Sequence, residues 1–253
     1  MVKEKAIERY SFSRLSLFHT CRHGFYKKYI ENLDGVSNCF SSYGLFLHSL
    51  LERYTNGKIN LWDLPAIYEW EFDVAITETF PNTPYCPEMR KLYYEQGLAF
   101  IQDFPGYSKI KILEVESEFD FGIDDWVFNG IIDLVYEDFE GRIVIEDYKS
   151  KSGFKSNKEQ REYARQLYLY ALHVKEKYGR YPDILRFTMM RKQQAIDIPF
   201  NEKDLEEAVA WAKDTVCAIR GCWDYSPSPE EFFCNNLCNY RECCEHRFKK
   251  GNT

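Results

Sequence analysis

Apolar residues recur with helical spacing in the first part of the chain. The pattern predicts one helix over 11–30 and a second from about 40 to 55, separated by a turn at 32–35. Residues 58–105 are rich in aromatic side chains and are predicted to be helical, with a break at the prolines of 81–84. This segment contains no recognisable chemistry, and we interpret it as a helical insertion.

A period-two alternation replaces the helical pattern from about Lys109 onward. It predicts a meander of three strands over 110–119, 126–136 and 142–149, with glycine or aspartate turns between them, and a fourth strand over 184–190.

Two further helices are predicted, one over 163–177 and one over 201–220 with Asn201 as its N-cap. The order helix, three strands, helix, strand, helix indicates an α/β fold, and we interpret the chain as a single domain. Its parts are 1–52 with the N-terminal helices, 53–108 with the helical insertion, 109–200 with the core, and 201–253 with the C-terminal helix and a group of cysteines.

The composition is that of a folded soluble protein. Of the 253 residues 45% are hydrophobic and only 9 are proline, which excludes a disordered or collagen-like chain. The net charge of −7 argues against a protein that coats nucleic acid through bulk electrostatics, but it allows a local basic groove. No apolar run approaches the roughly 18 residues of a membrane span, and charge interrupts residues 1–9, so we expect a cytoplasmic protein with no membrane partner.

Two aspartates and a lysine lie in the predicted meander. Asp133 interrupts an apolar run, while Asp147 and Lys149 share a strand face that excludes Glu146. A buried aspartate is costly unless a positive charge balances it, and carboxylates on neighbouring strands suit Mg²⁺ or Mn²⁺. Lys149 could then position or polarise a water for attack on phosphorus. The alternative is a buried Asp–Lys pair that stabilises the sheet.

Polar residues also occur in the predicted helices on either side of the meander. His48 lies in an apolar helical segment, where a hydrogen-bonded core histidine is the simpler interpretation. Gln166 and Tyr170 are four residues apart and therefore face the same way, and core packing is the alternative for Tyr170. Glu116 and Glu118 on the first strand are expected to be outer-sphere helpers at most.

Four of the nine cysteines lie close together near the C-terminus, at Cys234, Cys238, Cys243 and Cys244. Such spacing suits a soft-metal site, either structural zinc or an iron–sulfur cluster, and a disulfide is the weaker alternative. A local zinc site could use Cys234, Cys238, Cys243 or Cys244, and His246. Four of the other cysteines are expected to be ordinary buried residues, namely Cys39, Cys86, Cys217 and Cys222.

The four short motifs, in this order, resemble those of the RecB-type branch of the PD-(D/E)XK nuclease superfamily. They are Gly-x-x-x-His at Gly44 and His48, Gly-x-x-Asp at Gly130 and Asp133, Asp-x-Lys at Asp147 and Lys149, and Gln-x-x-x-Tyr at Gln166 and Tyr170. The segment 11–29 is similar to the N-terminal signature of that branch, and Ile132 stands in place of a proline before the aspartate. The resemblance covers nearly the whole chain apart from 53–108.

The resemblance implies a restriction-endonuclease-like core, with a central mixed sheet flanked by helices. It implies a nuclease that cleaves DNA, most simply an exonuclease on single-stranded ends, with possible protein partners in recombination, phage or CRISPR systems. In this interpretation His48, Asp133 and Asp147 hold Mg²⁺ or Mn²⁺, Lys149 assists the chemistry, and Gln166 and Tyr170 line the cleft. A non-catalytic DNA-binding or assembly module is the alternative.

The CRISPR-associated RecB-like exonucleases and the AddB-type subunits in this branch carry a [4Fe–4S] cluster. Their ligand pattern, one cysteine before the core and three after it, maps onto Cys21, Cys234, Cys238 and Cys244, with Cys243 as the alternative to Cys244. Such a cluster would be structural and would join the two ends of the chain.

A basic stretch follows the Asp-x-Lys motif. Residues 149–165 contain six basic side chains against two acidic ones. A solvated loop is the ordinary interpretation of a charge run. Beside a phosphodiester-cleaving site we instead expect a surface that binds the DNA backbone, with Arg191, Lys192 and aromatic side chains available for phosphate contact and base stacking.

Overall fold

The computed structural model describes residues 7–248, so the outermost residues of the predicted domain, 1–6 and 249–253, lie outside the described part. In that part, six strands form one mixed sheet. The strands are β1 (Arg9–Tyr10), β2 (Lys111–Ile123), β3 (Trp126–Glu137), β4 (Ile143–Lys149), β5 (Ile184–Met189) and β6 (Gln194–Pro199).

Strand β3 is the centre of the sheet. One of its edges pairs with β2 along nearly its full length, in antiparallel orientation. The other edge is shared, because β1 pairs in parallel at 127–128 and β4 pairs antiparallel at 134–137. Beyond β4 the order continues with parallel β5 and antiparallel β6. Asp133 therefore lies where β3 and β4 begin to separate.

Helices cover both faces of the sheet. They are α1 (Phe12–Thr20), α2 (Arg22–Tyr29), α3 (Cys39–Thr55), α4 (Leu64–Ala75), α5 (Met89–Asp103), α6 (Asn157–Tyr178) and α7 (Glu202–Arg220). One apolar core lies between the sheet and helices α1, α2, α6 and α7, and we call it the first core. The second core lies between the opposite face and helices α3, α4 and α5.

Alternation along β4 divides its side chains between the two cores. Ile143 and Ile145 enter the first core, whereas Val144 and Tyr148 enter the second. Helix α6 connects β4 to the parallel β5 on the first-core side, which is the usual connection of parallel strands. The prediction of a mixed α/β fold with a central sheet between helices is confirmed.

Two details of the predicted elements are wrong. The single helix expected over 11–30 is broken at Cys21, which is extended (φ −159°) and accepts a hydrogen bond from Gly24 N as the N-cap of α2. Strands β1 and β6 were not expected, since β1 has only two residues and β6 follows directly on a tight turn through Gln193. Within residues 7–248 no helix combines the length and the apolar character needed to cross a membrane.

Candidate active site and cysteine cluster

An irregularity in the sheet directs Asp133 out of the ordinary strand alternation. Ile132 packs in the first core and Leu134 in the second, so the facing of β3 changes between them. The register pairs Val115 with Leu134, which places Glu116 opposite Asp133, and Glu116 has a positive φ of 42°. Such a backbone conformation is uncommon for a residue other than glycine and is often found at functional sites.

His48 comes to the same point from helix α3. Gly44, one turn earlier, lets the helix approach the end of β4, because a Cβ atom there would lie 3.1 Å from Ser150 Oγ. The ring atom His48 Nε2 lies 3.0 Å from the carbonyl oxygen of Tyr148, to which it donates. That hydrogen bond turns Nδ1 toward the carboxylates, an arrangement typical of metal-binding histidines.

The side chains of His48, Glu116 and Asp133 form a compact group that could hold a metal ion. Their ligand atoms all lie within 4.8 Å of one another, with His48 Nδ1 3.5 Å from Glu116 Oε1 and 3.6 Å from Asp133 Oδ1. Two carboxylates and an imidazole suit Mn²⁺ and also Mg²⁺. From the sequence, Glu116 is expected to be an outer-sphere helper and Asp147 to be a ligand, whereas the structure places the Glu116 carboxylate within this group and Asp147 beside it.

The charges in this group perturb one another. Burial and the charge of Asp147 raise the pKa of Asp133 to about 7. Burial lowers the pKa of His48, but the hydrogen bond to Glu116 and the charges of Asp133 and Asp147 outweigh it and raise this pKa to about 9. Crowded carboxylates of this kind favour the binding of a cation.

Asp147 and Lys149 lie beside the group, on the first-core face of β4. Lys149 Nζ is 2.7 Å from Asp147 Oδ2, a buried oxygen that makes no hydrogen bond of good geometry. The same Nζ donates to Gln166 Oε1 at 3.1 Å, and Gln166 Nε2 donates to Tyr170 OH at 2.9 Å. Residues predicted from two separate motifs thus form one chain of polar contacts, which fixes the position of the lysine.

Tyr170 is buried and also packs in the first core. Its ring meets Phe119 edge-on at 5.0 Å, and a Cβ atom on Gly130 would lie 2.9 Å from each of these two rings. The glycine of the Gly-x-x-Asp motif therefore leaves room for Tyr170. Packing accounts for the Tyr170 ring, while its hydroxyl group anchors Gln166.

A cleft lined by basic and aromatic side chains opens from Lys149. Lys151, Lys155 and Arg191 line it, and Arg191 lies over the ring of Tyr93 at 3.6 Å. Further aromatic side chains complete the wall, namely Phe40, Tyr163, Phe232 and Phe233.

The other basic side chains of the stretch 149–165 lie elsewhere. Lys158, Arg161 and Arg165 line a separate groove between α6 and α7, so only part of the predicted basic surface adjoins the site. Glu118 is exposed, and Glu146 lines a cavity on the opposite, second-core face of β4.

The four cysteines Cys21, Cys234, Cys238 and Cys244 line one small cavity between α2 and the C-terminal segment. Burial raises the pKa of the Cys238 thiol, and the charges of the other three thiols raise it further. Thiol groups that disfavour one another's ionisation in this way are stabilised as thiolates by a soft metal centre. The donor set therefore fits a four-thiolate cluster.

Cys243 lies outside this set. Its side chain is exposed, and its thiol group faces the carbonyl oxygen of Tyr240. His246 lines the cavity, and a second group of potential ligands consists of His23, Cys244 and Glu245, so zinc stays an alternative. Of the four cysteines predicted to be ordinary buried residues, Cys39 is buried, Cys86 and Cys222 are half-buried, and the prediction is wrong for Cys217, which is exposed.

Hydrogen bonds attach the C-terminal segment to the loop after α2. Val36 N donates to Asn239 O at 2.8 Å, and Asn38 Nδ2 donates to Leu237 O at 3.1 Å. Arg241 donates to the carbonyl oxygens of Val36 and Ser37. These contacts hold the cysteines of the C-terminal segment next to Cys21.

Comparisons with known proteins identify the family and agree with the fold. The family model of the PD-(D/E)XK nuclease superfamily matches residues 9–245. No curated protein matches the chain. A crystal structure of a candidate exonuclease from Eubacterium rectale is similar over 97% of this chain and 91% of that one, with a TM-score of 0.54 and 13% identity. The crystal structure of SSO0001 aligns with 98% of this chain and 90% of that one, with a TM-score of 0.36 and 12% identity. With more than nine-tenths of its residues matched, the chain belongs to the PD-(D/E)XK nuclease superfamily.

Proposed function

We propose that this protein is a metal-dependent DNA nuclease that acts as a sequence-independent exonuclease on single-stranded ends. The observation that carries the proposal is the convergence of His48, Glu116 and Asp133 beside the Asp147–Lys149 pair. A nuclease of this superfamily needs carboxylates that hold a cation and a lysine close to the bond that is cleaved. Side chains of both kinds lie here, on the sheet and on helix α3, with Asp147 buried and the others half-buried.

The metal site would be formed by His48, Asp133, Asp147 and Glu116 and would hold Mg²⁺ or Mn²⁺. When bound, such an ion neutralises charge on the phosphate and makes water a stronger nucleophile. Lys149 lies close enough to Asp147 to orient a water molecule or to stabilise negative charge that develops on phosphorus-bound oxygen. Gln166 holds the ammonium group of Lys149 in place through its side-chain oxygen.

The cleft that begins at Lys149 supports a single-stranded substrate. Its cationic side chains can contact phosphates, and the aromatic side chains Phe40 and Phe232 can stack with unpaired bases. Phosphates and the faces of bases are common to every nucleotide, so we infer that cleavage is largely independent of sequence.

The four cysteines that line one cavity, Cys21, Cys234, Cys238 and Cys244, are the basis for proposing a structural [4Fe–4S] cluster there, with zinc as the alternative. Bound iron and sulfide would join α2 to the C-terminal segment. The segment also lines the DNA cleft through Phe232 and Phe233, so the cluster would support one wall of that cleft.

Digestion of 5′- and 3′-end-labelled DNA tests the nuclease proposal. Anaerobically purified protein should degrade linear single-stranded DNA with Mg²⁺ or Mn²⁺ and should spare circular single-stranded DNA of the same length. Asp147→Asn should abolish cleavage, whereas Asp120→Asn, an exposed carboxylate on β2, should not. Cleavage of the circle would refute the exonuclease assignment. DNA binding without cleavage under any metal condition would favour the non-catalytic module instead.

A further inference from the structure

A cavity of about 510 Å³ lies on the second-core side of the sheet, between β4–β6 and the connection from α5 to β2. Small-molecule sites commonly have volumes of roughly 300–1,000 Å³. Asp147 and Lys149 point to the other face of β4, so this cavity is separate from the candidate active site. None of the residues assigned to cleavage lines it.

The walls of the cavity are mainly aromatic. Phe100, Phe104, Tyr107, Tyr136 and Tyr148 supply most of the apolar lining. Flat aromatic surfaces of this kind bind planar ring systems by stacking and edge contacts. The lining therefore favours a heteroaromatic ligand over a flexible aliphatic one.

A buried carboxyl group lies among these aromatic side chains. Glu146 is 8% exposed and accepts a hydrogen bond from Thr188 Oγ1 at 2.5 Å. Among residues 7–248 no cationic nitrogen lies within ion-pair distance of it, since the neighbouring Arg186 is paired in bidentate fashion with Asp197. Each carboxylate oxygen can accept two hydrogen bonds, so Glu146 retains acceptor capacity toward the cavity.

The mouth of the cavity carries a cationic side chain. Lys109 is exposed there, next to Ser108 and close to the glycine turn at Gly106. An acceptor at the floor and a cation at the mouth are complementary to a ligand with donor groups on a ring and an anionic group at the other end. A nucleotide has this arrangement.

We propose that this cavity binds a guanine mononucleotide. The ring N1–H and the exocyclic amino group of guanine are adjacent donors that one carboxylate can accept together, and they would meet Glu146 while the phosphate lies beside Lys109. Adenine, cytosine and thymine do not offer two adjacent donor groups from a ring nitrogen and an amino group. The proposal does not depend on nuclease activity.

The cavity and the candidate metal group share one residue. The side chain of Tyr148 lines the cavity and contacts Tyr107 OH, while its backbone N–H donates to Asp133 Oδ2 at 2.7 Å and its carbonyl oxygen faces His48. A ligand against the Tyr148 ring thus lies one residue away from the groups that hold the metal site. The cavity therefore adjoins the candidate metal group through the backbone of Tyr148 without being part of it.

Equilibrium dialysis of the full-length protein with GMP, without added divalent metal, tests the proposal. We expect one GMP to bind per chain. IMP, which lacks the amino group, should bind about tenfold more weakly, because the loss of a hydrogen bond worth about 1.4 kcal/mol lowers affinity about tenfold. Glu146→Gln should weaken GMP binding at least as much. Lys109→Glu should weaken GMP but leave guanosine unchanged.

A blocking variant locates the site. Ala195→Trp should fill the cavity from the exposed face of β6, and Gln194→Trp, which points to the other face of the same strand, is the matched control. Circular dichroism and thermal unfolding check that both variants fold. GMP binding that is absent at millimolar concentration, that is equal in the two tryptophan variants, or that is lost in Asp147→Asn would overturn the proposal.

Discussion

Replacing Asp133 by asparagine should stabilise the metal-free protein while it abolishes activity. The carboxylate is 12% exposed and lies within 3.6 Å of His48 Nδ1. Burial and the charge of Asp147 raise its pKa from 3.8 to about 7. Asparagine retains an oxygen that can accept the hydrogen bond from Tyr148 N–H but carries no charge.

The magnitude follows from the linkage between protonation and folding. When folding raises the pKa of a carboxyl group, the protonated group stabilises the folded protein. This contribution is complete below the pKa of the unfolded chain and is lost as the pH rises through the pKa of the folded protein. Above pH 7 the ionised Asp133 therefore costs up to roughly 4 kcal/mol. The attraction of His48 is already contained in this value, and the buried asparagine amide that replaces the carboxyl offsets part of the gain. We expect a net gain of about 1–3 kcal/mol for Asp133→Asn at pH 8.

Urea unfolding of cluster-intact protein at pH 5 and pH 8, with and without Mg²⁺, measures this effect. The gain from Asp133→Asn should be clearly larger at pH 8 than at pH 5. Added Mg²⁺ should stabilise the wild type and have little effect on the variant, since a ligand that binds only the folded state raises stability. An equal loss of stability at both pH values would show that Asp133 is a structural residue and would refute the reasoning.

In single-turnover kinetics, Lys149→Met should slow cleavage by at least about 100-fold and change DNA affinity by less than about threefold. A loss of affinity as large as the loss of rate would assign Lys149 to DNA binding. Gln166→Leu should slow cleavage by about tenfold, because the Lys149 ammonium group loses the hydrogen bond that positions it. Wild-type cleavage rates across a metal titration would show that Gln166 acts only in packing. Iron analysis should find no iron in Cys21→Ser and an unchanged iron content in Cys243→Ser. Iron that is retained in Cys21→Ser and lost in Cys243→Ser would make Cys243 a ligand in place of Cys21. Chemical unfolding should show that Gly130→Val lowers the free energy of unfolding by about 1–3 kcal/mol, because the valine side chain would meet the rings of Phe119 and Tyr170. An unchanged free energy of unfolding would mean that these rings can move.

Regular patterns in the sequence were sufficient to predict most of the elements. The alternation over 126–136 and 142–149 and the N-cap at Asn201 correspond to β3, β4 and α7. The break at Cys21 could not be predicted, because apolar spacing continues through it and only the cap geometry separates α1 from α2.

The candidate site was less accessible from the sequence. Alternation correctly places Asp147 with Lys149 and Glu146 on the other face, since β4 is regular. It fails for Glu116, because the positive φ of that residue departs from the strand geometry on which the reasoning depends. A glutamate opposite an aspartate that breaks an apolar run is the signal that could have identified it.

Attachment of the C-terminal segment to the loop after α2 requires residues that are distant in the sequence. Cys21 leaves the ribosome early, but its neighbours at 234–244 are made after every strand of the sheet. Strands β2 to β6 can pair while the nascent chain still lacks those residues, since their partners lie within 111–199. Helices α1 and α2 can pack on the sheet and α7 before that, but the contact of Arg241 with Val36 spans 205 residues, and such distant contacts form slowly. We therefore expect the contacts between 36–38 and 237–241 to form late in folding.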